Sequence, residues 1–323
     1  MSEQSNKRSI RNILSMGLFV VMLALLGWYV WQNRQDMAQM LNLSWQTVAG
    51  MLLLALGGCI INAVYHLIIL QTYEMPLSLV DWMGVVSVSN VIAYVLPLRA
   101  DLVFSAAYYK KVKGLAYTKS VSMAAGNIVF GIAFSLLEML AALLCIGFLD
   151  GSWPGLLWLL WLLGTAGIAV VIAVALLFEG RLPAFLQKYP LIVNVMEGFT
   201  ALLRNKRMLW KLLACLIANH TLQLLLHMLC FRAIGSPVTF YLALFYNSVS
   251  WISGIVAIVP GNIGIKESVL GAAAMLLGTL FQSGVAVSLL QRVAMLIMHL
   301  IMGLVFAWPV YRRIVGKNKE AME

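Results

Sequence analysis

The feature that most constrains this chain is a series of apolar runs, each long enough to cross a bilayer, which takes about 20 residues. Hydrophobic residues make up 62% of the 323 positions and charged residues 11%, with a mean hydropathy of +0.92. Soluble domains carry about a quarter charged residues, so a soluble globular fold is excluded. We predict an all-α polytopic membrane protein with about six full transmembrane helices. The predicted spans are 13–31, 48–70, 120–148, 156–178, 209–231 and 285–309.

The positions of the basic residues predict the topology. The net charge is +10, and most Lys and Arg residues lie in clusters that flank the apolar runs, at 7–11, 110–119, 181–211 and 312–319. Cytoplasmic loops are enriched in Lys and Arg, and such clusters attract anionic lipid headgroups. Placing the clusters on one side puts both termini in the cytoplasm. The charge therefore indicates contact with membrane lipids, and we expect no nucleic-acid partner.

Two stretches, 81–112 and 240–281, do not read as simple spans. Each is apolar at both ends and is broken in the middle by a proline and charged residues, at Pro97 in the first and Pro260 in the second. Non-helical backbone at membrane depth is tolerated only inside protein or beside a wet cavity. We predict two re-entrant helical hairpins, the first entering from the cytoplasm and the second from outside. Two full crossings joined at the far surface are the alternative, especially for the second stretch.

The predicted elements occur twice in the same order. Span, span, broken hairpin and span recur, with Pro97 and Pro260 separated by 163 residues. Since each copy contains three full crossings, the second copy is expected to be inverted, an arrangement typical of secondary transporters. The predicted parts are a cytoplasmic N-terminus at 1–12, repeats at 13–150 and 151–311, and a cytoplasmic tail at 312–323.

Charged residues inside apolar sequence are the candidate functional residues. A charge at membrane depth costs a few kcal/mol, and such residues usually line a pathway or pair with one another. The alternative is a buried ion pair that only fixes helix packing. The candidate substrate-binding residues lie at the two breaks: Arg99, Asp101, Pro260, Gly261, Asn262, Gly264, Lys266 and Glu267.

A second set of polar residues on the spans are candidates for proton coupling: Glu138, His220, His227 and Arg292. Glu138 is the strongest of these, because a desolvated glutamate can titrate near neutral pH. For the two histidines, hydrogen bonding between helices is the favoured alternative.

The breaks indicate a phosphate ligand. A helix start exposes free N–H groups and a partial positive charge, and residues 261–264 directly precede a predicted helix. Arg99 can give a phosphate a bidentate contact from the other hairpin. No nucleophile motif, nucleotide-binding pattern or metal-ligand spacing is present in the sequence. We therefore expect no enzymatic activity, no catalytic residues, no cofactor and no metal.

These motifs resemble those of the lysylphosphatidylglycerol synthase transmembrane-region family. The segment from Leu96 to Asp101, with the basic residues after Tyr109, resembles the family's Leu-Pro-x-Arg-x-Gly-Glu stretch and the basic loop that follows it. The segment from Pro260 to Glu267 resembles the more specific Pro-Gly-Asn-x-Gly-x-Arg-Glu signature. Asp101 stands where Glu is usual and the preceding Gly is missing, so a different headgroup is expected.

The resemblance covers nearly the whole chain and implies a lipid-translocating membrane domain. We expect no lipid synthesis, because we expect no soluble aminoacyltransferase domain to accompany these spans. We expect an inner-membrane flippase that moves a phosphate-bearing lipid, either a phospholipid or a polyprenyl-phosphate-linked glycan, through a polar cavity at the midplane. The alternatives are a secondary transporter for small anions and a non-transporting scaffold for a lipid-modifying enzyme. A glycosyltransferase or a lipid-synthesis enzyme is the expected class of protein partner.

Overall fold

The protein is an all-α polytopic membrane protein, as predicted. The computed structural model describes residues 28, 31, 43–177, 188, 193, 205–255 and 259–320. Within these ranges the chain forms nine α-helices and no strand. The helices are α1 (Trp45–Leu70), α2 (Val85–Val95), α3 (Ala100–Lys113), α4 (Tyr117–Asp150), α5 (Gly155–Leu177), α6 (Lys206–Ala233), α7 (Phe240–Ser253), α8 (Ile265–Leu276) and α9 (Phe281–Glu320).

Five of the helices, α1, α4, α5, α6 and α9, are long and apolar enough to cross a membrane. They correspond to the second through sixth predicted spans. The first predicted span, 13–31, and most of the basic loop at 179–211 fall outside the described residues.

Both broken stretches consist of short helices on either side of an irregular segment. In the first, a π-helical turn at Val80–Gly84 leads into α2, and α3 follows the break. In the second, α7 has 14 residues and α8 has 12. Each of these arms is shorter than the roughly 20 residues that a full crossing requires. The short arms favour hairpins over two full crossings, while the depth of each hairpin in the bilayer stays a prediction.

The two breaks share the same backbone path. Leu96 and Val259 are extended, as steric contact with a following proline requires. After Pro97, Leu98 and Arg99 both have φ of 59°. After Pro260, the next two residues have φ of 59° and 56°. Left-handed conformations cost about 1–2 kcal/mol for residues other than glycine, so tertiary contacts must maintain them.

Contacts between helices follow a reciprocal pattern. The second and fifth spans, α1 and α6, pack against each other in antiparallel fashion, with Gly50 facing Leu229 and Gly57 facing Leu222. The third span, α4, packs on the second hairpin through α7, and the sixth span, α9, packs on the first hairpin through α2. The last helix, α9, also packs on α8 of the second hairpin, so the exchange of partners is not exclusive and the inverted repeat stays a prediction. The repeat boundaries at 150 and 311 stay predictions.

The last helix extends beyond the predicted sixth span. α9 continues through Pro309 to Glu320, although residues from 312 onward were predicted to form the cytoplasmic tail. Tertiary contacts explain the extra turns, because Ile314 packs on a core cluster and Arg313 donates to Asp81 at 2.6 Å.

Asp81 is the centre of a buried polar cluster that the sequence did not single out. It is fully buried, and its carboxylate accepts hydrogen bonds from Tyr108 at 2.9 Å, Ser78 at 2.9 Å and Lys113 at 2.8 Å. With Arg313 as a further donor, the cluster joins both ends of the first hairpin to the last helix.

We expect Arg313→Ala to lower the free energy of unfolding by about 1 kcal/mol. Arg313 is half-exposed, and the remaining donors still compensate the carboxylate, so the cost resembles that of an ordinary surface ion pair. Thermal unfolding in detergent measures the change, with the exposed Arg312→Ala as the matched control. An Arg313→Ala midpoint equal to that of the control would mean that Arg313 does not stabilise the hairpin base.

Candidate functional site

The two breaks meet at a cavity between the helices. Its volume is about 380 Å³, and its walls come from α1, α2, α4, α6, α7 and α9, from both breaks, and from the starts of α3 and α8. Many of the lining side chains are carboxamides, from Asn62, Asn90, Asn127, Asn219, Gln223, Asn247, Asn262 and Gln291. A cavity of this size falls within the range of small-molecule sites.

A second chamber of about 190 Å³ adjoins the first. It extends between α1, α2, α3 and α4, past His66 and Ser105. The two chambers share one wall, which we call the shared wall. It is formed by Asn62, Asn90, Arg99, Asp101, Asn127 and Ile128.

Arg99 is the least engaged of the cavity arginines. It directly precedes α3, and its Nη2 reaches the carbonyl oxygen of Ile255 at 3.5 Å. Its Nη1 lies 4.0 Å from the Asp101 carboxylate, at the outer limit of an ion pair. The side chain is 35% exposed, and Oδ1 of Asp101 has no hydrogen-bond partner among the described residues. The described residues therefore use little of the donor capacity of this guanidinium, and the rest is available to a ligand.

The second break is fixed by a buried ion pair. Arg292 donates from Nε to the Glu267 carboxylate at 2.6 Å, from Nη2 to the carbonyl of Asn262 at 3.2 Å, and from Nη1 to the carbonyl of Gly261. Glu267 is 1% exposed and also accepts from the N–H of Gly264 at 2.7 Å. Its carboxylate thus occupies the start of α8, where we expected a ligand anion to bind.

Lys266 faces the cavity, one residue before Glu267. Its ammonium donates to Oε1 of Gln291 at 2.7 Å, and Gln291 donates to Gln223 at 3.0 Å. His227 in turn donates from Nδ1 to the backbone carbonyl of Gln223 at 2.8 Å, and Nε2 of this buried histidine has no partner among the described residues. The chain of contacts links the cavity cation to a histidine outside the wall.

Glu138 and His220 form a second pair, and their role in proton coupling stays a prediction. The carboxylate lies 2.7 Å from Nδ1 of His220 and accepts from Asn247 at 3.2 Å. The imidazole stacks on Trp251, with ring centroids 4.9 Å apart, and its Nε2 has no partner. Since Asn247 and Trp251 line the cavity, the pair lies directly behind its wall.

The structure sorts the predicted residues into two groups. Six of them line the central cavity: Arg99, Asp101, Gly261, Asn262, Lys266 and Arg292. Six lie outside its lining: Glu138, His220, His227, Pro260, Gly264 and Glu267. The three asparagines of the shared wall were not predicted as substrate-binding residues, although their positions on three different apolar helices are a signal that sequence reasoning could have used.

Within the described residues, no group of three His, Cys, Asp or Glu side chains could hold a metal ion.

Fold and site together define a multi-pass membrane protein with broken helices around a polar cavity. The family model for the lysylphosphatidylglycerol synthase TM region matches residues 12–303. The chain therefore belongs to this family, as the two break motifs predicted. No curated protein and no solved structure matches the chain.

Proposed function

We propose that the protein is a lipid translocase of the bacterial inner membrane that binds the phosphate of a lipid headgroup at Arg99. The observation that carries this proposal is the weak engagement of Arg99 inside a cavity between membrane-spanning helices. Among the described residues, its one hydrogen bond is 3.5 Å long and its nearest carboxylate oxygen is 4.0 Å away. A guanidinium presents a planar array of donors that matches two phosphate oxygens.

The contrast with Arg292 supports this assignment. Arg292 has a carboxylate oxygen at 2.6 Å and two backbone carbonyls, so its charge and its donors are compensated within the protein. A charge at membrane depth is costly without such compensation. Arg99 has no such close partners among the described residues, and a bound phosphate would supply both the negative charge and the acceptor oxygens. Lys266, which also lines the cavity, adds a further positive charge to it.

The edge of the cavity favours a lipid over a soluble anion. Leu96 lines the cavity and is 47% exposed, and the adjacent Val95 is 63% exposed. Apolar side chains therefore continue from the cavity wall to the outer surface of the first hairpin. Acyl or polyprenyl chains can remain in the bilayer beside these residues while the headgroup enters the polar cavity.

We further propose that Glu138 and His220 carry a coupling proton. The two groups are in direct contact and are separated from the cavity only by side chains that line it. We also propose that the protein has a partner enzyme that makes or uses the lipid, such as a glycosyltransferase.

The proposed orientation has both termini in the cytoplasm. We expect a cysteine at position 113 to react with impermeant maleimide only from the cytoplasmic side, because Lys113 closes the base of the first hairpin beside the basic cluster. A cysteine at position 36, in the predicted external loop, should react only from the periplasm. Periplasmic labelling of Lys113→Cys would contradict this orientation.

Transport by the reconstituted protein tests the proposed function. Proteoliposomes with fluorescent phosphatidylglycerol in one leaflet should show faster exchange between leaflets than protein-free vesicles. Uptake of radiolabelled inorganic phosphate by the same vesicles serves as the second arm. Phosphate uptake without lipid exchange would favour the small-anion transporter, and the absence of both activities would favour the scaffold.

A further inference from the structure

Three asparagines of the shared wall have side chains with no hydrogen bond to any described residue. They are Asn62 on α1, Asn90 on α2 and Asn127 on α4, and all three line both chambers. Two other carboxamides of the cavity are occupied, since Asn247 donates to Glu138 and Gln291 contacts Lys266, whereas Oδ1 of Asn219, which lines only the larger chamber, has no partner among the described residues. Helices from separate parts of the chain thus bring three unoccupied amides to the wall that also holds Arg99.

We propose that the shared wall binds the hydroxyl groups of a polyhydroxylated headgroup whose phosphate lies on Arg99. This proposal rests on the proposed function, because it assumes that the cavity receives a lipid phosphate. The substrate class is then a lipid phosphate ester of a polyol, in which the polyol is glycerol, inositol or a sugar.

Hydrogen-bond complementarity selects hydroxyl groups. A carboxamide offers both N–H donors and a carbonyl acceptor, whereas phosphate oxygens on an anion only accept. A bare phosphate would therefore leave the acceptor oxygens of Asn62, Asn90 and Asn127 without donors. Asp101, whose Oδ1 has no partner, also requires a donor. A hydroxyl group donates and accepts, so a polyol can pair with the amides and the carboxylate together.

The charges of the cavity select a neutral polyol over an aminoacylated headgroup. The wall carries the cations Arg99, Lys266 and Arg292 but a single carboxylate, Asp101. The two carboxylates behind the wall are already engaged, Glu267 by Arg292 and Glu138 by His220 and Asn247. An ammonium group placed among these cations would be repelled, while a hydroxyl group carries no such penalty.

Binding to a series of lipids that differ only in the headgroup tests the proposal. The full chain is placed in nanodiscs and titrated with phosphatidic acid, phosphatidylglycerol, phosphatidylinositol and a polyprenyl-phosphate hexose. We expect the hydroxylated lipids to bind about tenfold more tightly than phosphatidic acid, which corresponds to one or two added hydrogen bonds. The order of the affinities for the glycerol, inositol and hexose lipids identifies which polyol the shared wall prefers.

Asn127→Leu should weaken binding of the hydroxylated lipids about tenfold and leave phosphatidic acid unchanged. Asn90→Leu is a second variant with the same expectation, which keeps the test valid if one of the two does not fold. Gln46→Leu, an exposed carboxamide on α1, is the matched control and should bind every lipid like the wild type.

The outcomes separate this proposal from the proposed function. Equal affinity for all four lipids, or an equal loss for all lipids in Asn127→Leu and Asn90→Leu, would overturn the assignment of hydroxyl recognition to the shared wall. If Arg99→Ala still weakens every lipid in that case, the phosphate site stands. If Arg99→Ala binds every lipid like the wild type, Arg99 does not bind the lipid phosphate, and the proposed function is contradicted as well.

Discussion

Arg99→Ala is expected to reduce lipid exchange at least about a hundredfold while leaving the protein folded. Hydrogen bonds to a charged group contribute about 1.5–3 kcal/mol each, and a guanidinium makes two of them to a phosphate. Loss of both corresponds to a factor of about a hundred or more. The fold should tolerate the change, since the contacts of Arg99 within the protein are 3.5 and 4.0 Å long.

Two companion variants make the Arg99 result specific. Arg99→Lys should recover part of the activity, because an ammonium keeps the charge but lacks the planar pair of donors. Arg232→Ala removes an exposed arginine at the end of α6 and should exchange lipid at the wild-type rate. An Arg99→Ala protein that is folded and exchanges lipid as fast as Arg232→Ala would remove Arg99 from the site.

Glu267→Gln is expected to lower the stability of the folded protein by about 3 kcal/mol. The substitution keeps the shape of the side chain but leaves the charge of Arg292 uncompensated in a buried position, and breaking such a pair costs about 3–5 kcal/mol. Glu267 also accepts from the N–H of Gly264 at the start of α8, so the second break loses two constraints. The amide oxygen of glutamine can retain one of these hydrogen bonds, so the expected loss of stability lies at the lower end of the range of about 3–5 kcal/mol.

Unfolding monitored by tryptophan fluorescence in detergent measures this loss. Glu74→Gln, at an exposed position in the turn after α1, is the matched control and should unfold like the wild type. If Glu267→Gln has the same unfolding midpoint as this control but loses lipid exchange, Glu267 acts on the substrate as the sequence predicted. The structural role that we assign to it would then be wrong.

The fold was predictable where a residue's role depends on local sequence. Apolar length located the five described spans, and proline with nearby charges located both breaks, because these signals act within a few residues. The sequence did not reveal the shared left-handed path of the two breaks. Leu98 and Arg99 are not glycines, and only contacts from distant parts of the chain can maintain their conformation.

The candidate site was predictable only in part, because consecutive charges on a helix point in different directions. Lys266 and Glu267 are separated by about 100° around α8, so one faces the cavity while the other turns back to Gly264. Sequence alone assigned both to substrate. Asp81 was missed for a related reason, since Lys113 and Arg313 approach it from separate segments of the chain.

The central claim is that the cavity between the two breaks holds a phosphate-bearing lipid through Arg99. Native mass spectrometry of the purified full chain, released from detergent, tests it most directly by comparing the wild type with Arg99→Ala and Arg232→Ala. The account predicts one phosphate-bearing lipid retained by the wild type and by Arg232→Ala, and none by Arg99→Ala. Equal retention of the same lipid by all three proteins, or retention by none, would contradict it.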